Sequence, residues 1–98
     1  MSTCVNTRFV NAQLFDTNFE KSHLEGSDFT IAKLQRASFK NSDLQEVCFK
    51  GANLEGTDFT NANLENANLE GTNHEEAIFT GANLKGTILE SLYSSEKN

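Results

Sequence analysis

Residues 51–72 read GANLEGTDFTNANLENANLEGT, and this stretch repeats a pattern five residues long. Every fifth residue is large and apolar, at Leu54, Phe59, Leu64 and Leu69, and a small residue stands two positions before each. A fixed internal period takes precedence over other sequence signals, because it determines the whole architecture.

The same register covers almost the entire chain of 98 residues. The small position holds Ala, Ser or Thr from Thr7 to Thr87, except at Val47. The large position holds Phe or Leu except at His74, and its members are Phe9, Leu14, Phe19, Leu24, Phe29, Leu34, Phe39, Leu44, Phe49, Leu54, Phe59, Leu64, Leu69, His74, Phe79, Leu84 and Leu89. This regularity indicates a solenoid built from repeats rather than a fold with separate helices and strands.

A period of five fits neither an ordinary helix nor an ordinary strand. An α-helix turns by about 100° per residue, so a step of five scatters the large residues around its axis. In a strand, an odd step sends successive large residues to opposite faces. Each unit must therefore combine a short extended side, which points its small and large residues inward, with a turn of polar residues.

A second period of ten residues appears because the large position alternates Phe and Leu from Phe9 to Leu64. A closed coil should therefore contain an even number of units. Four units would make a coil of about 20 residues at the usual strand spacing between coils. The large residues would then form four inner columns, which begin at Phe9, Leu14, Phe19 and Leu24.

The runs ANLEG at 52–56, TDFTN at 57–61 and GANLK at 81–85 resemble the pentapeptide-repeat proteins, whose consensus is A-(D/N)-L-x-x. The resemblance covers Ser2 to Ser91 and implies an all-β solenoid, a right-handed quadrilateral β-helix of about four coils. We therefore predict a β-helix over residues 1–91 and a cap and tail over residues 92–98. Leu89, Leu92 and Tyr93 share the i, i+3, i+4 spacing of one helical face, which predicts a short helical cap over Glu90–Ser95.

Composition limits the classes of function. The first ten residues lack the apolar core of a signal peptide, and no apolar run is long enough to cross a membrane. Cys4 and Cys48 fall in different columns, so no disulfide is expected and the cytoplasm is the predicted compartment. The net charge of −6 and the lack of a basic stripe argue against direct binding to nucleic acid.

The acidic residues are unevenly distributed among the four faces. A face consists of the residue before each large residue and the two residues after it. The Leu24 face, named after the first large residue of its column, should carry a charge of −3, because Lys85 opposes four acids: Glu25, Asp43, Glu46 and Glu65.

Apolar residues near the N-terminus occupy positions that are polar in most later units: Val5, Val10, Phe15 and Ile31. Open strand edges together with exposed apolar side chains favour pairing. We therefore predict a homodimer formed through the Met1–Phe15 end. The alternative is a frayed first coil with scattered surface hydrophobes.

No catalytic, cofactor-binding or metal-binding residues are predicted. His74 replaces a core Leu and has no other His or Cys stacked on it. His23 is expected to be an outward turn residue with no neighbours that could complete a catalytic triad. The inward Ser and Thr hydroxyls should bond to the backbone, and the Asn residues before the large positions should form ladders between coils.

The leading interpretation is a non-enzymatic protein-binding or scaffold module of unknown partner. The resemblance implies an alternative, because some pentapeptide-repeat proteins mimic B-form DNA and bind or inhibit DNA gyrase or topoisomerase. A third interpretation is that the chain is one segment of a longer solenoid.

Overall fold

The computed structural model describes residues 7–91, and it forms a coil that repeats every twenty residues. Parallel bridges join each residue before a large position to the residue twenty positions later, from Arg8↔Asp28 to Asn63↔Asn83. Four five-residue units therefore make one coil, as the predicted columns require. The bridged positions recur at every fifth residue between Arg8 and Asn83, so each side contributes one bridged residue rather than a longer strand.

Backbone hydrogen bonds join successive coils along all four sides. The Phe29 amide donates to the Cys48 carbonyl at 2.7 Å, and the Asp28 amide donates to the Thr7 carbonyl at 2.9 Å. The same two bonds recur around the coil, so a side of one bridged residue still satisfies its backbone in both directions.

Each corner is a four-residue turn from a large residue to the next small one. The Ala32 amide donates to the Phe29 carbonyl at 3.0 Å, and the third residue of that turn, Ile31, has a φ of 51°. A positive φ at this position alone is typical of a type II turn. All sixteen corners repeat the conformation, but only six of them carry Gly there.

The core is filled by stacked large residues. Phe29 stacks on Phe49 with ring centroids 5.3 Å apart, and Phe39 stacks on Phe59 at the same distance. Phe29 and Phe39 meet edge to face at 5.7 Å across the coil. The predicted inward columns are therefore confirmed from Leu24 to Leu69, where every large residue is buried.

Inward hydroxyls bond to the backbone as predicted. Thr57 Oγ1 donates to the Leu34 carbonyl at 2.7 Å, one coil above its own. The Asn ladders are found at one place among residues 7–91, where Asn83 donates to Asn63 at 3.3 Å. The Asn side chains instead accept from the amide two residues later, as Asn53 does from Glu55 at 3.1 Å, because this local bond satisfies the turn.

A helix begins at Glu90 and includes Ser91, the last described residue. The predicted cap residues Leu92 and Tyr93 lie outside the described residues, as do Cys4 and Val5. Within residues 7–91, no helix has the length and apolar character that a membrane span requires.

Candidate functional site: the open first coil and the Leu24 face

The first coil leaves three of its four large core side chains partly uncovered, whereas the fourth, Leu24, is buried. Phe9, Leu14 and Phe19 are half-buried, whereas the large residues of the next coil are completely buried. Among residues 7–91, no coil lies above the first to accept hydrogen bonds from the amides of Arg8 and Gln13. Within residues 7–91, the first coil thus presents partly exposed apolar side chains beside amides that donate to no other described residue.

Three of the residues predicted to drive self-association lie near this end and are exposed. Val10 is 38% exposed, Phe15 48% and Ile31 49%. Val5, the fourth, lies outside the described residues. The prediction that these side chains point outward is confirmed for the three residues that the structure describes.

The backbone of Ile31 adopts the left-handed conformation, which is unfavourable for a β-branched residue. Ile31 is the one β-branched residue among the ten non-glycine residues with positive φ in residues 7–91. A β-branched residue in the left-handed region is strained by about 1–3 kcal/mol. Gly51 lies below it, where an added Cβ would stand 3.1 Å from Ile31 Cγ2, so the Ile31 side chain occupies space left by a glycine.

The Leu24 face gathers the four predicted acidic residues. Parallel bridges run His23↔Asp43, Asp43↔Asn63 and Asn63↔Asn83 down this face. Glu46 is exposed at a corner, whereas Glu25 and Glu65 are half-buried.

His23 points outward as predicted, but the prediction of a turn is wrong, because His23 is a bridged residue with acidic neighbours on this face. Its Nδ1 lies 2.7 Å from Asp43 Oδ2, and both side chains are about two-fifths exposed, at 41% and 39%. Glu25 is near enough that one ligand atom from each of the three residues lies within 4.8 Å of the others. Asp43 follows His23 by the twenty residues of one coil, so the register contained the signal that would have predicted the pair.

The neighbouring faces carry structural ion pairs and turn bonds. Arg36 Nε lies 2.9 Å from Asp16 Oδ1 on the Leu14 face, and this carboxylate raises the pKa of Arg36. On the Phe9 face, the hydroxyl and amide of Thr30 donate to Asp28 and lower the pKa of that carboxyl group, with a smaller contribution from Arg8. The ion pair between Arg36 and Asp16 joins two neighbouring coils, and the hydrogen bonds between Thr30 and Asp28 stabilise one turn.

His74 lies half-buried in its column, as predicted for a filled core position. It belongs to no group of potential metal ligands among residues 7–91.

A family model described as pentapeptide repeats matches eight copies in this sequence, over residues 2–30, 32–61 and 57–91. The chain belongs to the pentapeptide-repeat family. The resemblance inferred from the sequence is thereby confirmed, and with it the quadrilateral β-helix, which is right-handed in this family. The boundary between residues 91 and 92 stays a prediction.

Solved pentapeptide-repeat proteins share the fold. Rfr23 from the cyanobacterium Cyanothece 51142 matches with a TM-score of 0.84 and 29% identity, over 88% of this chain and 59% of that one. The protein alr5209 from Nostoc PCC 7120 matches with a TM-score of 0.75 and 31% identity, over 76% of this chain and 62% of that one. This chain therefore spans about three-fifths of the length of these two pentapeptide-repeat proteins.

QnrB1, described as a plasmid-mediated fluoroquinolone resistance protein, matches in its trypsin-treated M102R form with a TM-score of 0.81. Its identity is 24%, over 87% of this chain and 47% of QnrB1, so the similarity concerns the fold alone. A search against functionally curated proteins finds no match.

Proposed function

We propose that this pentapeptide-repeat chain is a non-enzymatic protein-binding module that self-associates through its first coil. The observation that carries the proposal is the open upper end, where Phe9, Leu14 and Phe19 are half-buried beside the exposed Val10 and Phe15. Burying apolar area contributes about 25 cal/mol per Å², so covering these side chains favours association.

A second copy is the partner that fits this end. Two coils of the same shape and size meet with matched outlines, and a two-fold axis closes the assembly. Each copy brings the same apolar rim and the same pairing edge, so the two contact surfaces match in chemistry across the axis.

The test measures mass in solution by light scattering. We expect the parent to be a dimer, and the double substitution Val10→Glu and Phe15→Glu to give a folded monomer. Ile78→Glu is the matched control, because Ile78 is 43% exposed but lies on the Phe19 face, far from the first coil along the stack. A parent that is monomeric at high concentration would contradict the proposal, and so would a dimer that resists the double substitution.

A second candidate function is mimicry of DNA toward DNA gyrase or topoisomerase, as the family resemblance implies. The observation in its favour is the Leu24 face, where four acids share one side of the rod and Lys85 is the one opposing Lys or Arg. Single-sign charge along a groove or face steers partners of the opposite sign.

A gyrase supercoiling assay tests this second function. We expect inhibition by the parent that is lost when Asp43, Glu46 and Glu65 are all changed to Lys, and that weakens at high salt. The matched control changes the same number of acids on the Leu14 face, at Glu55, Glu75 and Glu76. Inhibition absent from the parent, or equal in both triple variants, would rule out mimicry by the Leu24 face.

We also propose a cytoplasmic location, supported by the register, which puts Cys4 and Cys48 in different columns and so disfavours a disulfide between them. Fractionation of cells that express the natural chain tests this location, and recovery in a secreted or lumenal fraction would contradict it.

A further inference from the structure

The Leu24 face brings three side chains with metal-binding chemistry to one place. His23 precedes the inward Leu24 and Glu25 follows it, so both side chains leave the same outer face. Asp43 lies directly below His23, because the two residues form a parallel bridge between the first and second coils. The solenoid thus converts a twenty-residue separation into a cluster whose ligand atoms lie within 4.8 Å of one another.

Two oxygens beside this cluster are shielded from solvent without a hydrogen-bond donor. One is Oε1 of Glu25, and the other is Oε1 of Gln45, which lies one coil below Glu25 on the same face. Neither has a partner among residues 7–91. Gln35 has a similar oxygen on the Leu14 face, away from any cluster of potential metal ligands among residues 7–91. A shielded carboxylate oxygen without a donor costs free energy, and a nearby cation removes that cost.

No lysine or arginine supplies such a cation on the adjoining part of the face. The outward residues of this face from His23 to Asn66 include no Lys or Arg, and Lys85 lies in the last coil. Two carboxylates and a neutral imidazole bring a charge of about −2, which balances a divalent ion.

The donor set selects the class of metal. One imidazole nitrogen with two carboxylate oxygens suits zinc and the other late first-row divalent ions, whereas magnesium and calcium prefer oxygen ligands alone. Metal–ligand bonds near 2.1 Å in a tetrahedral site place ligand atoms about 3.4 Å apart. The contact between His23 Nδ1 and Asp43 Oδ2, at 2.7 Å, is shorter than that value, and the ligand atoms of all three residues lie within 4.8 Å of one another. The side chains of His23 and Asp43 are about two-fifths exposed and so have room to adjust.

We propose that His23, Glu25 and Asp43 form a surface site for Zn²⁺ or a related late first-row divalent ion, with the remaining positions open to water. The ion would join two ligands of the first coil to one of the second. It would therefore fasten the least covered coil of the described structure to its neighbour, and binding to the folded state alone would raise the melting temperature.

Titration calorimetry of the untagged full chain, stripped with a chelator, tests the site with ZnCl₂. We expect one ion per chain, a raised melting temperature, and at least about tenfold weaker binding of MgCl₂ and CaCl₂. Cobalt absorption gives a separate readout, because nitrogen and oxygen ligation lacks the intense thiolate charge-transfer band that Cys48 would produce.

Variants identify the ligands. His23→Gln and Asp43→Asn should each weaken zinc binding at least about tenfold, whereas His74→Gln should leave it unchanged. His74 is the matched control because it is the other histidine of the chain and stands beside two glutamates. Circular dichroism confirms that each variant is folded, and Glu25→Gln replaces any variant that is not.

Three results would overturn the site. The first is a parent that binds no zinc, as expected if the Gln45 amide, turned over, already donates to Glu25. The second is zinc binding equal in the parent and in every folded ligand variant. The third is a cobalt spectrum dominated by thiolate ligation.

Discussion

The first and second coils place similar residues in different surroundings. Phe9, Leu14 and Phe19 of the first coil are half-buried. The residues twenty positions later, directly below them, are completely buried: Phe29, Leu34 and Phe39. In a solenoid, an inner coil is covered by one neighbour on each side, whereas an end coil has a neighbour on one side. Coils of similar sequence therefore differ in burial. The difference indicates that stability is concentrated in the middle coils, and it supports the proposed association through the first coil.

Truncating a core leucine in a middle coil and in the first coil gives the largest test of this contrast. Leu54→Ala should reduce the free energy of unfolding by about 2–5 kcal/mol, because Leu54 is completely buried. Leu14→Ala in the same column should cost about 1–2 kcal/mol, because that side chain already contacts solvent. Denaturant titration measures both.

Glu55→Ala is the control, since the exposed Glu55 follows Leu54 directly and its loss should change the free energy of unfolding by less than about 0.5 kcal/mol. Equal losses from the two leucine substitutions would remove the distinction between coils. A loss from Glu55→Ala as large as that from Leu54→Ala would refute the inward and outward assignment itself.

Ile31→Asn separates folding from association. Asn tolerates positive φ, as it does at Asn11 in the same corner of the first coil, so the variant should be more stable by about 1 kcal/mol. The same change removes an exposed apolar side chain and should weaken the proposed dimer. Thermal melts at low concentration and light scattering at high concentration measure the two effects, and a less stable variant would show that Ile31 is not strained.

Residue periodicity was enough to predict the coil, because each inward position must satisfy one rule of size and polarity. The columns from Phe29 to Leu64 follow directly from a step of twenty residues. The choice of four units per coil depended on the family resemblance, since the alternation of Phe and Leu requires only an even number. The turn conformation is harder to predict from the sequence, because Lys21, Ile31 and Arg36 occupy a left-handed position that Gly and Asn usually fill.

The cluster at His23, Glu25 and Asp43 is difficult to predict from the sequence for a different reason. Twenty residues separate His23 from Asp43 along the chain, and only the register of the coil brings them together as a bridged pair. Side-chain details such as the 2.7 Å contact depend on rotamers that the periodicity does not specify. The same limitation applies to the Asn residues, whose local turn bonds compete with ladders between coils.

His74 offers a smaller comparison within one column. It stands below Leu54 but is half-buried, and a histidine in this position replaces apolar packing. His74→Leu should therefore be neutral or stabilising by up to about 1 kcal/mol. A thermal melt measures the change, and a marked loss of stability would assign His74 a specific structural role that its place in the column does not explain.

The smallest expected effect concerns the turn that joins Asp28 to Thr30, below Arg8 of the first coil. The Thr30 hydroxyl is the main cause of the lowered pKa of Asp28, with the Thr30 amide next and Arg8 last. A lowered folded-state pKa stabilises the fold above the ordinary value of 3.8, and this contribution is lost as the pH falls through the folded-state pKa.

Thr30→Val removes the hydroxyl with little change of shape, so the pKa of Asp28 should move up toward 3.8. The variant should be less stable than the parent at neutral pH, and the two should converge in acid. Carbon-detected NMR titration of Asp28 and unfolding at several pH values measure these effects. Thr30→Ser, which keeps the hydroxyl, should behave as the parent does, and a Thr30→Val titration identical to that of the parent would place the cause elsewhere.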